Sequence, residues 1–374
     1  MDAPLKFSEA IMTINLQIVE KMILQIAEFF HSMAANEQRR LYYMMPPKSS
    51  FPYAYQHSSI RDVATICNIL DLVHFFKERQ MMLGAGVMAV FEEVVGNTLQ
   101  KYHELYQKNK VLDLPDGNIG DIGFFLLALE KCSQVFPSKL PDLWKTTRAQ
   151  LVNRLLRRQN EDGSMRLFFD SRLTVYEKSA EAFYLPEALI GLIATLGHHS
   201  KEIDNQIITL IQRAILYCCQ DENRERNVTS DIVTFYANWQ FQLFYHWIYN
   251  QSKGENEISL EVEHLKRLIN ALMNSPIAKI PFEHNVATVE IACYLEGLVH
   301  ARDVISFVKI ALHLPKDWFE KEINRCIHFL YQLQTATQLT IKGGFVHTPN
   351  SPEARVDVAG HVFNALAKLS RDQH

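Results

Sequence analysis

Six apolar segments recur along the chain, and each alternates with a more highly charged amphipathic one. The apolar segments read SSIRDVATICNIL (58–70), GNIGDIGFFLLAL (117–129), AFYLPEALIGL (182–192), SDIVTFYANWQFQL (230–243), NVATVEIACYLEGL (285–298) and RVDVAGHVFNAL (355–366). They close on Leu70, Leu129, Leu192, Leu243, Leu298 and Leu366, at intervals of 59, 63, 51, 55 and 68 residues. An interval of that length holds two helices and two loops at about 1.5 Å of rise per residue. Amphipathic helices are predicted between them over roughly 84–107, 140–158, 203–219, 260–274 and 316–333, with a sixth over 8–34. Alternation of period two is nearly absent, so the chain reads as all-α. Helices apolar on every side belong inside and amphipathic ones outside. The expected fold is a single (α/α)6 toroid of six inner and six outer helices spanning 1–374. Residues 1–50 supply the N-terminal outer helix and a linker, and 51–374 the inner/outer repeats. A right-handed helical solenoid is the alternative; it needs polar end caps, and neither end is conspicuously polar.

The 374 residues carry 38 Lys and Arg against 42 Asp and Glu, a net charge of −4 with a pI near 6.4. No basic surplus favours nucleic acid as a partner. Lys6, Glu9, Glu20, Lys21 and Glu28 interrupt the apolar N-terminus, and its longest charge-free run is Ala10 to Val19. A spanning helix takes about 20 apolar residues, so no transmembrane segment is expected, and the flanks lack a secretory signal. Cys67, Cys132, Cys218, Cys219, Cys293 and Cys326 form no C-x-x-C pair. They read as small buried hydrophobes of a reduced, cytoplasmic protein, with no zinc site. Cofactors and oligomeric state are left open.

The helical register supplies the candidate site. Eight or nine residues before the closing leucine stand Asp62, Asp121, Glu290 and Asp357, with Arg61 and Arg355 beside two of them. Five before it stand Thr65, Phe124, Glu187, Asn238, Cys293 and His361. Acidic residues in a first turn also serve as caps. Carboxylates gathered at one level of a closed ring would raise one another's pKa values, as general acid catalysis requires. Six converging helix N-termini also suit an anionic group such as a diphosphate or a uronate carboxylate. The candidate catalytic residues are therefore Asp62, Asp121, Glu290, Asp357 and His361. Asp357 is read as the acid, Arg355 as setting its charge and His361 as orienting it from one turn on. Arg61, Arg355, Tyr184, Tyr236 and Trp239 are the candidate substrate-binding residues. Their rings would stack a sugar or stabilise a cation.

Two loops share a further pattern. One outer helix ends RRQNEDGSM (157–165), and another ends YQLQTATQLTIKGGFVHTP (331–349). Each places a Gln near the helix end, then a glycine turn, then an apolar residue. At these residues the chain resembles the terpenoid cyclase and protein prenyltransferase α/α-toroid superfamily. Gln159 to Met165 is similar to its Q-x-x-D-G-S-aromatic repeat with Met165 in the aromatic place, and Gln334 to Phe345 is a longer-spaced version. The D-x-D-D acid motif is absent and the prenyltransferase zinc ligands have no counterpart, so the resemblance implies the fold and transfers no catalytic residue. It favours an isoprenoid-type enzyme, cyclase or prenyltransferase-like, with a small-molecule or lipid-like substrate in an aromatic-lined cavity. Two alternatives stand beside it: a carbohydrate-active (α/α)6 enzyme using paired carboxylates, and a toroid that binds without catalysis.

Overall fold

The structure is a computed structural model describing residues 15–35, 44–45, 59–110, 117–139, 143–220, 232–251, 259–279, 286–309, 314–315, 317–335, 343–348 and 351–371. Segment 8–14 of the predicted N-terminal helix and most of the linker to residue 58 lie outside the described residues. Twelve long helices are described. The outer ones are α1 (Leu16–Ala34), α3 (Ala85–Asn109), α5 (Leu143–Leu156), α7 (Lys201–Cys219), α9 (Ser259–Asn274) and α11 (Trp318–Thr335). The inner ones are α2 (Ser59–Glu78), α4 (Ile119–Val135), α6 (Glu177–Ala194), α8 (Val233–Gln251), α10 (Thr288–Val308) and α12 (Val356–Arg371). Each inner helix packs on the next, and α12 returns to α2. The odd-numbered helices α3, α5, α7, α9 and α11 lie against the inner helix preceding them, while α1 lies on α12. The ring is closed, so the architecture is the (α/α)6 toroid and not the solenoid.

The loop pattern has a structural meaning. Gln159 at the end of α5 donates Nε2 to the carbonyl of Gly163 (3.2 Å) and to that of Leu210 on α7 (2.8 Å). Gln334 at the end of α11 donates Nε2 to Gly343 (2.9 Å) and to Met22 on α1 (3.2 Å). Gly163 and Gly343 have φ of +94° and +103°, and a Cβ on either would strike a carbonyl of the same outer helix, Arg213 or Gln25. Only glycine meets both demands. Met165 and Phe345 then turn into the core. The Gln–Gly–apolar pattern thus fastens one outer helix to the next, and the second copy fastens the last helix to the first. Gln334→Ala is expected to cost about 1–2 kcal/mol, because two carbonyls in a buried seam lose their donor. Urea unfolding measures it, with Gln159→Ala as the more exposed comparison.

The inner ring is tight where small residues face each other. A Cβ on Gly191 of α6 would fall 2.1 Å from the Gly123 carbonyl of α4, so these two backbones touch directly. Strands are few: β1 (Met44–Met45), β2 (Val346–Thr348) and β3 (Ser351–Arg355) form an antiparallel sheet in the order β1-β3-β2. The β2–β3 hairpin runs directly into α12 and sets Arg355 at that helix's start. All six cysteines are buried and unpaired with one another. Among the described residues no helix is long and apolar enough to cross a membrane.

Candidate functional site

A cavity of about 710 Å³ occupies the centre of the ring, and all six inner helices line it. Counted from the closing leucines, its wall is built in layers. Five residues before them lie Thr65, Phe124, Glu187, Cys293 and His361; two before them lie Asn68, Leu127, Ile190, Glu296 and Asn364; two after them lie Lys131, Tyr245, His300 and Lys368. Steps of three and four residues keep one helix face inward. The stripe is clearest on α12, where Asp357, His361, Asn364, Lys368 and Arg371 all reach the cavity.

The chemistry gathers on α6, α10 and α12. His361 Nδ1 lies 2.7 Å from Glu296 Oε2. The same carboxylate accepts Nδ2 of Asn364 at Oε1 (2.9 Å) and Nδ2 of Asn238 at Oε2 (3.1 Å). Gln242 holds Asn238 in turn through Nε2 to Oδ1 (3.1 Å), and Trp239 sets its ring edge to face with His361 at 6.1 Å. Glu296 is 1% exposed. Burial alone would raise its pKa, but the charge and hydrogen bond of His361, the His300 ring and the Asn364 amide hold it below its ordinary 4.5. Burial likewise opposes a charge on His361, yet its contacts with Cys293 and Glu296 lift it well above 6.5. Both shifts favour the charged form of each partner.

Glu187 is the opposite case. Burial pushes its carboxyl well above the ordinary 4.5, the charge of Asp121 adds to this, and His361 opposes it. Its Oε2 is buried with no hydrogen-bond partner, against α4 near Gly120. Glu187, whose carboxyl is pushed up, thus shares the cavity with Glu296, whose carboxyl is held down. Environments that drive two titratable groups apart in this way mark acid–base sites.

Deeper along the barrel the charges are paired: Lys131 with Asp71, and Lys368 with Asp303 at 2.9 Å, its Nζ also 3.2 Å above the Tyr245 ring. Burial, together with the charges of His300, Lys131 and Lys368, drives His246 down to about 3, so its ring is neutral.

Of the residues singled out from sequence, Arg61, Arg355, Asp357, His361, Tyr184 and Trp239 line the cavity. Arg355 grips Asp357 through both guanidinium Nε (3.0 Å) and Nη2. His361 hydrogen-bonds to Glu296 rather than to Asp357. Four residues lie off the wall. Asp62 accepts Tyr102 Oη at 2.6 Å and Lys101 at 3.4 Å, both on α3. Asp121 closes a capping box with Asn118, whose backbone N–H it accepts at 3.1 Å. Glu290 is half-buried, and burial raises its carboxyl. Tyr236 is buried against His264, ring centroids 6.5 Å apart. The reason is rotational. Asp62, Asp121 and Glu290 stand three residues before the inward position, which turns them about 60° around the helix toward neighbours. Asp357 stands four before it and stays inward. Glu187 was placed at the level five back without being taken as a candidate, and Glu296, Asn364, Lys131 and Lys368 were not picked out; a polar stripe at steps of three and four on otherwise apolar helices is the signal that marks them. Among the described residues no group of three or more His, Cys, Asp or Glu has the geometry to hold a metal ion.

The fold is thus an (α/α)6 toroid with a central cavity lined by ionisable, amide and aromatic side chains. No family model and no curated relative matches the chain. Solved structures do. The chain is similar to an unsaturated glucuronyl hydrolase from Streptococcus agalactiae, with a TM-score of 0.61 and 11% identity, covering 96% of this chain and 94% of that one. It is similar to a D-mannose isomerase (TM-score 0.61, 10% identity, 98% and 100% covered) and to a sugar epimerase from a ruminal bacterium (0.60, 10%, 96% and 99%). At such identities the likeness carries the fold. These neighbours overturn the isoprenoid reading, and with it the cyclase or prenyltransferase class and the lipid-like substrate. The loops that prompted that reading turn out to fasten outer helices, and the cavity is walled by ionised and amide side chains rather than being purely aromatic.

Proposed function

We propose that the protein is a carbohydrate-active enzyme that carries out acid-catalysed chemistry on a sugar in the central cavity. The observation that carries this reading is the placing of Glu187, its carboxyl pushed up by burial, in one cavity with the hydrogen-bonded Glu296–His361 pair. The toroids named above, whose names denote a hydrolase, an isomerase and an epimerase of sugars, support the substrate class. Glu187 donates a proton to the sugar oxygen that leaves. His361, oriented and charge-balanced by Glu296, holds the reacting group by a hydrogen bond. Trp239 and Tyr184 offer ring faces to the sugar, and Asn68 and Asn364 offer amides to its hydroxyls. Arg61, Arg355 and Asp357 stand at the inner-helix N-termini, where Arg355 and Arg61 meet an acidic substituent. In glycoside hydrolysis the bond between anomeric carbon and leaving oxygen breaks, the oxygen takes the Glu187 proton, water adds hydroxide to the carbon, and the proton that water sheds returns to Glu187.

The test is a screen of the purified protein against 4-nitrophenyl glycosides and glucuronides and against free aldoses and uronic acids. Turnover of at least one sugar, lost in Glu187→Gln while the melting temperature stays within a few degrees, is the expected result. Absence of turnover and binding across the panel overturns the proposal.

A further inference from the structure

The cavity is longer than the acid–base site needs. At one end its wall includes the exposed Arg61, close to the start of α2. At the other it includes Arg371, the last residue of α12, whose side chain is 47% exposed and 2.7 Å from Glu78. Helix α12, from Val356 to Arg371, is about 24 Å long at 1.5 Å per residue, and the cavity follows it from end to end. The barrel therefore has a second mouth, at the C-terminal ends of its inner helices.

That mouth carries an aromatic ladder. Inside, the Tyr245 ring meets His300 edge to face at 5.4 Å. Tyr249, one turn on along α8, lies 4.3 Å from Tyr245 and tilted toward parallel, and Phe307 of α10 lies 4.8 Å from Tyr249. Tyr249 and Phe307 are 45% and 43% exposed, among the few large apolar residues left so. The rings lead without a break from the cavity wall to the surface. Beside them Lys368 and Arg302 share Asp303, each at 2.9 Å, Arg371 pairs with Glu78, and His246 is neutral. Such a surface offers ring faces and hydrogen-bonding groups beside charges that are each held by a partner. That combination suits the apolar faces and hydroxyls of a sugar ring better than it suits an ion or a lipid.

We propose that this second mouth is a carbohydrate subsite, in which Tyr249 and Phe307 stack sugar units of a chain whose end lies at Glu187. The proposal rests on the sugar reading of the central cavity and adds that the ligand is an oligosaccharide. Binding should therefore strengthen with chain length. The test is isothermal titration of the full-length protein with galacturonic acid and oligogalacturonides up to the hexasaccharide, and with glucose and the cello-oligosaccharides of equal length. Both aromatic residues are exposed, so Tyr249→Ala and Phe307→Ala leave the fold intact, which the melting temperature checks. The expected result is that affinity for the longest chains of the bound series falls about tenfold in each variant, while that for the single sugar is unchanged. Wild-type affinity independent of length, or unchanged long-chain affinity in both variants, overturns the subsite and leaves the sugar reading standing. Failure of every sugar in both series to bind the wild-type protein overturns both.

Discussion

Glu187→Gln is expected to lower turnover of the sugar substrate by about 10²–10⁴-fold, the usual contribution of a positioned general acid. The amide keeps the shape of the neutral carboxyl that burial enforces here, so substrate affinity should change little. The substitution should also alter the pH dependence of stability. A carboxyl whose folded pKa lies above its unfolded value near 4.5 stabilises fully below that value. The contribution is lost as pH rises through the folded pKa, because the native state then holds the extra proton less and less. Wild type should therefore lose stability between mildly acidic and alkaline pH, and Glu187→Gln should lose less. Urea midpoints across that range, together with kcat and KM, check both parts. Undiminished kcat in a folded variant would remove Glu187 from the mechanism.

Glu296→Ala is expected to destabilise the fold by about 3–5 kcal/mol near pH 6, the cost of leaving one member of a buried ion pair uncompensated. The imidazolium of His361 depends on that carboxylate, as do the amides of Asn238 and Asn364. Without Glu296 the His361 pKa should fall, and the loss should shrink at alkaline pH where the ring is neutral. In wild type the sign is set by the upward shift: His361 contributes stability below its ordinary 6.5, and loses it as pH rises through the higher folded value. Equilibrium unfolding at two pH values and NMR titration of the His361 ring measure these effects. Equal destabilisation at both pH values would show that lost packing, not charge, dominates.

The heptad-like inner stripes were in the sequence, and their register was readable from the closing leucines. Five of the six residues counted five back from those leucines do line the cavity: Thr65, Phe124, Glu187, Cys293 and His361. Three of the carboxylates eight or nine back, Asp62, Asp121 and Glu290, lie off that wall. Carboxylates eight back attract notice because acids are expected near helix N-termini, and that is also why they cap: Asp121 does so with Asn118. The loop pattern was read correctly as a mark of the toroid. Its Gln residues bind backbone carbonyls of neighbouring outer helices, an arrangement that any closed double ring can use whatever it catalyses.

Periodicity determined the fold class. Segments apolar all round must be enclosed, amphipathic ones must cover them, and equal numbers of each in alternation leave a double ring as the arrangement that satisfies both. Glycines at Gly163 and Gly343 and the glutamines beside them fixed its seams. The site was decided in three dimensions. Glu296 and His361 are 65 residues apart and become partners only because α10 and α12 are neighbours in the ring. The Glu187 carboxyl is pushed up only because closure of the barrel strips water from it and sets Asp121 nearby. A sequence carries the identity of each ionisable group, but its protonation depends on the dielectric and charges around it, and those exist only after distant helices have packed.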